Sequence, residues 1–183
     1  MRHRSVVVVQ EPVVEPVSLT DVRRQLRLSS DQTDDDLLLA SLISTARSLI
    51  EKRLGVSLAT KQLRATFDRT DLELELPYSP VLVDGDHPIT VVVDVDTLSG
   101  ADYELDTDRR PAILEVGSSF SGETVVTYWA GGSLQPQLRS AILLYVGHLY
   151  ANREAVITDG SQPSGLPLAF ETLLASESIS GRW

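Results

Sequence analysis

Three consecutive carboxylates, Asp34, Asp35 and Asp36, form the densest group of hard oxygen ligands in the sequence, and three such groups could hold a divalent cation. Consecutive helix positions point in different directions, so these three do not readily converge on one ion. Their place at the head of an apolar-periodic run explains them without a ligand, because carboxylates there meet free N–H groups and the positive end of the helix dipole. The pairs Asp84-x-Asp86, Asp94-x-Asp96 and Asp106-x-Asp108 look like fragments of calcium loops. None continues as one: counted from Asp102, the sixth position is Thr107 where glycine is required, and the twelfth is Ile113 where glutamate is required. The three histidines, His3, His87 and His148, lie in three different kinds of segment. His148 falls on an apolar helix face beside Tyr145, as a hydrogen-bonded core histidine would. No phosphate loop, His-Glu-x-x-His, Gly-x-Ser-x-Gly or dinucleotide fingerprint occurs. Any two of the 26 acids could meet in space as a glycosidase-type pair, so a carboxylate-dependent hydrolase stays open as an alternative without being specified. The residues imply no catalytic centre, no cofactor and no metal.

The chain that positions these side chains has 183 residues, 42% of them hydrophobic, and no cysteine. That is long enough to bury its own core, and it excludes disulfides, zinc thiolate sites, iron–sulfur clusters and cysteine nucleophiles. No run approaches eighteen apolar residues, and the stretch Val6 to Val9 is too short, and too soon followed by Glu11, for a signal peptide. A soluble protein, intracellular when made and without a membrane partner, is expected. Its 26 acidic and 16 basic residues give a net charge of −10, which argues against broad nucleic-acid binding. Twelve of those acids lie between Asp68 and Asp108 against the single base Arg69, leaving fourteen acids and fifteen bases elsewhere. The negative excess therefore belongs to one stretch. It reads either as a solvated β-surface or as a surface meant to face another polyanion without adhering to it.

The period of the apolar residues divides the chain. Residues 1–17, with Pro12, Pro16 and a Val-rich stretch, fit a loose arm or an edge strand. Ser18 reads as an N-cap with Asp21 as its capping-box partner, opening a short helix to about residue 28. Thr33 reads as the cap of a long helix to Leu54, with apolar positions Leu39, Leu42, Ile43, Ala46, Leu49 and Ile50 on one stripe and Gly55 as its terminator. From about residue 62 the period becomes two: Leu72, Leu74 and Leu76 alternate with Glu73 and Glu75, and Val91, Val93 and Val95 form a second run. Further strands fit Tyr103 to Leu105, Ile113 to Val116 and Val125 to Trp129, with Gly- and Asp-rich turns between. A second long helix is expected over about 136–153, apolar on two faces, one for the first long helix and one for the sheet or a neighbouring chain. A Gly/Ser/Pro-rich linker, residues 159–167, leads to a short amphipathic segment with Phe170, Leu173 and Leu174, and then to Trp183. Such a segment is marginal alone in water, so its apolar residues are candidate partner anchors or fold back on their own helices. The fold class expected is α+β: a bundle of two long helices plus short ones, residues 18–158, with an inserted antiparallel sheet or small barrel over about 62–130.

Taken in order, several segments carry a resemblance. These are the Ser18 to Leu28 opening, Leu-Ile-Ser-Thr-Ala-Arg-Ser-Leu-Ile-Glu-Lys-Arg-Leu-Gly (Leu42 to Gly55), Leu-Pro-Tyr-Ser-Pro-Val (Leu76 to Val81), Val-Thr-Tyr-Trp-Ala-Gly-Gly (Val126 to Gly132) and the helix from Pro136 to Glu154. Together they resemble the head–tail connector, or adaptor, proteins of tailed bacteriophages and gene transfer particles, over about residues 18–175. The resemblance implies a non-enzymatic ring subunit, commonly in twelve copies, in the neck of a virion made in a bacterial cytoplasm. Its implied partners are the portal protein, a stopper or tail-completion protein and copies of itself, with DNA passing through without specific binding. Phe170, Leu173, Leu174 and Trp183 then become candidate docking residues, and Asp94, Asp96, Asp102, Glu104 and Asp106 a candidate acidic lumen or surface. A monomeric acidic interaction module of another assembly is the alternative.

Overall fold

The computed structural model describes residues 3–29, 31–68, 73–117, 119–132, 134–152 and 168–180, with side chains of the last segment to residue 176. The chain divides into two compact units, one of Met1–Val14 and Gly55–Ser133, the other of Glu15–Leu54 and Leu134–Trp183.

The helical unit contains α1 (Leu19–Leu26), α2 (Asp36–Leu54), α3 (Pro136–Ala151) and α4 (Leu168–Ser180). Ser18 caps α1 as expected: its hydroxyl accepts the Asp21 N–H at 3.1 Å, and the Asp21 carboxylate accepts the Ser18 N–H at 3.2 Å. Those bonds to Ser18, with Arg139 at 2.8 Å, hold the Asp21 carboxyl below its ordinary range. Ser18→Ala is expected to cost about 1 kcal/mol at neutral pH. A depressed folded pKa adds stability that is complete above the unfolded value of about 4 and fades as pH falls through the folded value. The urea midpoints of parent and variant therefore converge in acid.

Helix α2 starts at Asp36, later than the cap expected at Thr33. A turn in which the Asp36 N–H donates to the Thr33 carbonyl precedes it, and the Asp35 carbonyl accepts the first helical bond, from Leu39. Leu39, Ile43, Ala46 and Ile50 are buried at spacings of four, three and four, which is the expected stripe. Beside them lie Arg47 and Glu51, 3% and 2% exposed and joined at 2.9 Å, with Glu15 on the other side of the guanidinium at 2.8 Å. Burial opposes the Arg47 charge, but the two carboxylates outweigh it and raise the guanidinium pKa further. Helix α3 packs against α1, α2 and α4. Of its second apolar face Val146 is buried, while Leu143 and Tyr150 are half-buried; on the first stripe α4 supplies Phe170, stacked on Tyr145 with centroids 5.0 Å apart.

The β-unit contains β1 (Ser5–Gln10), β2 (Lys61–Phe67), β3 (Leu74–Leu76), β4 (Val81–Leu82), β5 (Thr90–Val93), β6 (Asp96–Thr97), β7 (Tyr103–Asp106), β8 (Ala112–Val116) and β9 (Thr124–Ala130). They form two antiparallel sheets: one ordered β1-β2-β9-β5-β6, with β4 also on β9, and one ordered β3-β8-β7. Both orders have ends, so the described strands do not close into a barrel. The Val-rich N-terminal stretch takes the edge-strand alternative, with Val6 against Ala65 and Val8 against Leu63. Leu63, Ala65, Phe67, Val91, Val93, Val126 and Tyr128 of the larger sheet share one core with Leu74, Leu76, Ala112, Leu114 and Val116 of the smaller. Strict alternation along β2 and β9 buries every second residue, as a half-buried sheet requires. Tyr128 is fully buried with its hydroxyl donating to the Pro77 carbonyl at 2.6 Å, and burial pushes its phenol pKa upward.

One strand expectation fails. Val95 does not continue β5 but stands 89% exposed in the β5–β6 hairpin turn. Asp94 takes φ +53° there, a left-handed conformation that aspartate tolerates better than most residues. Its backbone N–H donates to the Glu123 carbonyl at 2.8 Å, and its carboxylate accepts the Glu123 N–H at 2.9 Å.

Candidate interaction surfaces

The acids of residues 68–108 fall into two physical classes. Some hold turns. Asp84 accepts the N–H groups of Asp86 and His87 at 2.8 and 2.9 Å and pairs with the His87 Nδ1 at 2.8 Å. The His87 bond leads the causes that lower its pKa. Asp102 accepts the Ser99 hydroxyl at 2.5 Å and the Ser99 N–H at 2.9 Å, and these bonds lower its pKa in turn. Asp106 accepts the Asp108 N–H at 3.0 Å, and Asp94 braces Glu123 as described. Three of the five residues selected from the sequence as an acidic surface, Asp94, Asp102 and Asp106, are therefore structural acceptors as well as charges.

The second class stands on the outer face of the smaller sheet. Glu104 on β7 lies directly opposite Glu115 on β8, and both are exposed. In the next row Asp106 faces Ile113, which faces Glu75. Directly opposed like charges weaken a sheet. Glu115→Lys is accordingly expected to raise stability by about 0.5 kcal/mol in low salt, less in high salt, as read by urea unfolding. Asp96 is exposed on β6, so among the selected acids Asp96 and Glu104 are the two for which charge is the plain reading.

The outer face of the larger sheet is different in kind. Register places Ser5, Thr66, Val125, Val92 and Thr97 in one row, and Val7, Arg64, Thr127 and Thr90 in the next. A third row holds Gln10, Gln62, Trp129 and Leu82. These rows contain no carboxylate and one cation, Arg64. The Trp129 ring meets His87 edge-on, centroids 5.2 Å apart. The sequence reading overlooked this face because it followed the acids; the signal was their absence from the alternate positions of β2 and β9.

The candidate docking residues of the C-terminal segment are mostly committed elsewhere. Phe170 is 0% exposed and Leu174 is also buried, Leu173 is half-buried, and Trp183 lies outside the described residues, as does the 159–167 linker. Phe170 is held by Tyr145 and by the Arg53 guanidinium, 5.9 Å from its ring centroid, while Arg53 also pairs with Glu171 at 2.7 Å. Exposure on α4 falls instead to Leu168. Two of the aspartate triplet are likewise engaged: Tyr150 donates to Asp35 at 2.5 Å, and Arg23 pairs with Asp36. Among the described residues no three His, Asp or Glu side chains gather as a metal site, and no helix is long and apolar enough to cross a membrane.

Two sheets braced by carboxylate-held turns, with one acidic and one neutral outer face, make a protein of surfaces. Residues 16–84 match the family model described as "Phage gp6-like head-tail connector protein". That family is structural and non-enzymatic. The fold is also similar to a chain in the neck of an empty gene transfer agent (GTA) particle computed with C6 symmetry, at TM-score 0.71 and 20% identity over 92% of this chain and 94% of that one. A chain in the virion of a native GTA particle matches at TM-score 0.70 and 19% identity, over 93% of each. At such identities the likeness is one of fold. No curated protein matches the sequence.

Proposed function

We propose that this protein is a subunit of the neck of a phage or gene transfer particle, assembling with copies of itself into a ring between portal and tail. The observation that carries the reading is the connector match over residues 16–84, supported by a fold shared across 92% of the chain with a protein of a particle neck. A ring of twelve is commensurate with the sixfold symmetry in which that neck was computed. The portal lies on one side of the ring and a stopper or tail-completion protein on the other. DNA passes through without specific contacts, since Asp96, Glu104 and Glu115 repel phosphate wherever they border the channel. Removing the gene is expected to leave DNA-filled heads and free tails that fail to join, counted by electron microscopy. Normal joined particles would overturn the reading.

The lumen has its own test. Because Asp94 and Asp102 hold turns, replacing them would confuse charge with folding. Glu104→Gln combined with Glu115→Gln removes two charges and one cross-strand repulsion, and is expected to slow or impair DNA ejection while leaving particle assembly intact. Unchanged ejection means that these acids face away from the channel. For the C-terminal segment, Leu168→Asp is expected to weaken retention on the portal in a pull-down while leaving the helical unit folded; undiminished retention removes this residue from the contact.

A further inference from the structure

A sheet face whose rows hold no acid is an unusual feature on a chain with a net charge of −10. Val7 is 58% exposed, and Val92, Val125 and Trp129 continue the apolar surface inward from the edge strand. Beta1 ends the order of its sheet, so its outer edge is not paired with any described strand, and neither lysine nor proline blunts it within Ser5–Gln10. Natural sheets manage such edges or use them. The charge on this face is the single Arg64.

The helical unit carries a patch of the opposite description. Leu37, 89% exposed, and Leu38 stand at the start of α2 beside the exposed carboxylates Asp31 and Asp34. We infer that the neutral face of the larger sheet docks the Leu37–Leu38 knuckle of a second copy of this chain, with Arg64 of one copy opposite Asp34 of the other. The inference rests on the connector reading and says where its copies touch. Two features on the page favour a second copy over an unrelated partner. One chain carries both halves, a neutral face with a cation and an apolar knuckle with acids, so the charges are complementary. The halves are also two different patches, which is what a head-to-tail contact closing into a ring needs, whereas a twofold dimer would pair one patch with itself.

The cysteine-free chain gives the test a clean background. Full-length protein carrying Val7→Cys is mixed with protein carrying Leu37→Cys, and a short bismaleimide is added. Covalent dimers are expected from the mixture and not from either variant alone; dimers of Val7→Cys alone would mean edge-to-edge twofold pairing and overturn the inference. A charge exchange reads the same contact without cysteines. Arg64→Glu alone and Asp34→Arg alone are each expected to weaken self-association on the order of tenfold in sedimentation velocity, and the double variant to recover it. Both positions are exposed, so folding is not at issue. Single variants that associate like the parent, or a double variant no better than the singles, overturn the inference. A chain monomeric at every concentration also overturns it, while particles lacking the gene test the connector reading separately.

Discussion

Gly131→Ala is expected to destabilise the β-unit by about 3 kcal/mol, a loss large enough to leave little folded protein under mild denaturant. Gly131 has φ +132°, a conformation nearly closed to residues with a side chain. A β-carbon there would also lie 2.6 Å from the Ala59 carbonyl carbon and 2.7 Å from the Thr60 α-carbon, with the Ala59 oxygen closer still. These are backbone atoms of the segment entering β2, and they cannot rotate away as a side-chain tip could. Gly132 is an internal control. It too has a positive φ, +90°, but the nearest atom to its added β-carbon is the Thr60 hydroxyl at 3.8 Å. Gly132→Ala is expected to cost only about 1 kcal/mol, the conformational part alone. Urea unfolding of the two variants separates strain from collision; equal losses would show that the close approach at Gly131 is not what fixes the residue.

Arg47→Leu is expected to cost about 3–5 kcal/mol, because it removes the guanidinium that balances the Glu51 charge where only 2% of that residue is exposed. The buried pair itself is a weaker stabiliser than its burial suggests, since bringing two charges out of water offsets much of their attraction. The double variant Arg47→Leu with Glu51→Met should therefore recover most of the loss. Glu15, half-buried on the other side of Arg47, is then left at the surface where water solvates it. Thermal and urea unfolding of the two singles and the double give the coupling directly. A double variant as unstable as the sum of its singles would mean that the network contributes packing rather than charge.

How far the sequence could be read depended on the distance over which each decision is made. The α1 cap is decided within three residues, and Ser18 with Asp21 showed it. The α2 stripe and the alternation of β9 are decided over one element, and Leu39 to Ile50 and Val125 to Trp129 showed them. Asp94 turns the chain by bonding Glu123, twenty-nine residues away, so Val91, Val93 and Val95 looked like one continuous strand. Nothing in the sequence singled out Arg47 and Glu51; only Glu15 and the packing around α2 put them inside. The same limit applies to the surfaces. The acid count along residues 68–108 was visible, but the split into turn acceptors and the Glu104–Glu115 face needs the β7–β8 register. The neutral face needs pairings from Val7 across to Thr90. Phe170 drew attention as an apolar anchor, and what it anchors to, Tyr145, is a tertiary choice between its own helices and a partner.

The division of the chain has a consequence for its synthesis. The β-unit is complete once residue 133 has left the ribosome, whereas the helical unit holds residues 15–54 and then resumes only at 134. Helices α1 and α2 therefore emerge early, whereas α3 and α4, which pack against α2, are translated only after the whole β-unit. Non-local docking of this kind is slow and prone to capture by other chains. A pause or truncation after residue 133 would release a nascent chain with a finished sheet pair and a greasy, half-built bundle, the species most in need of a chaperone.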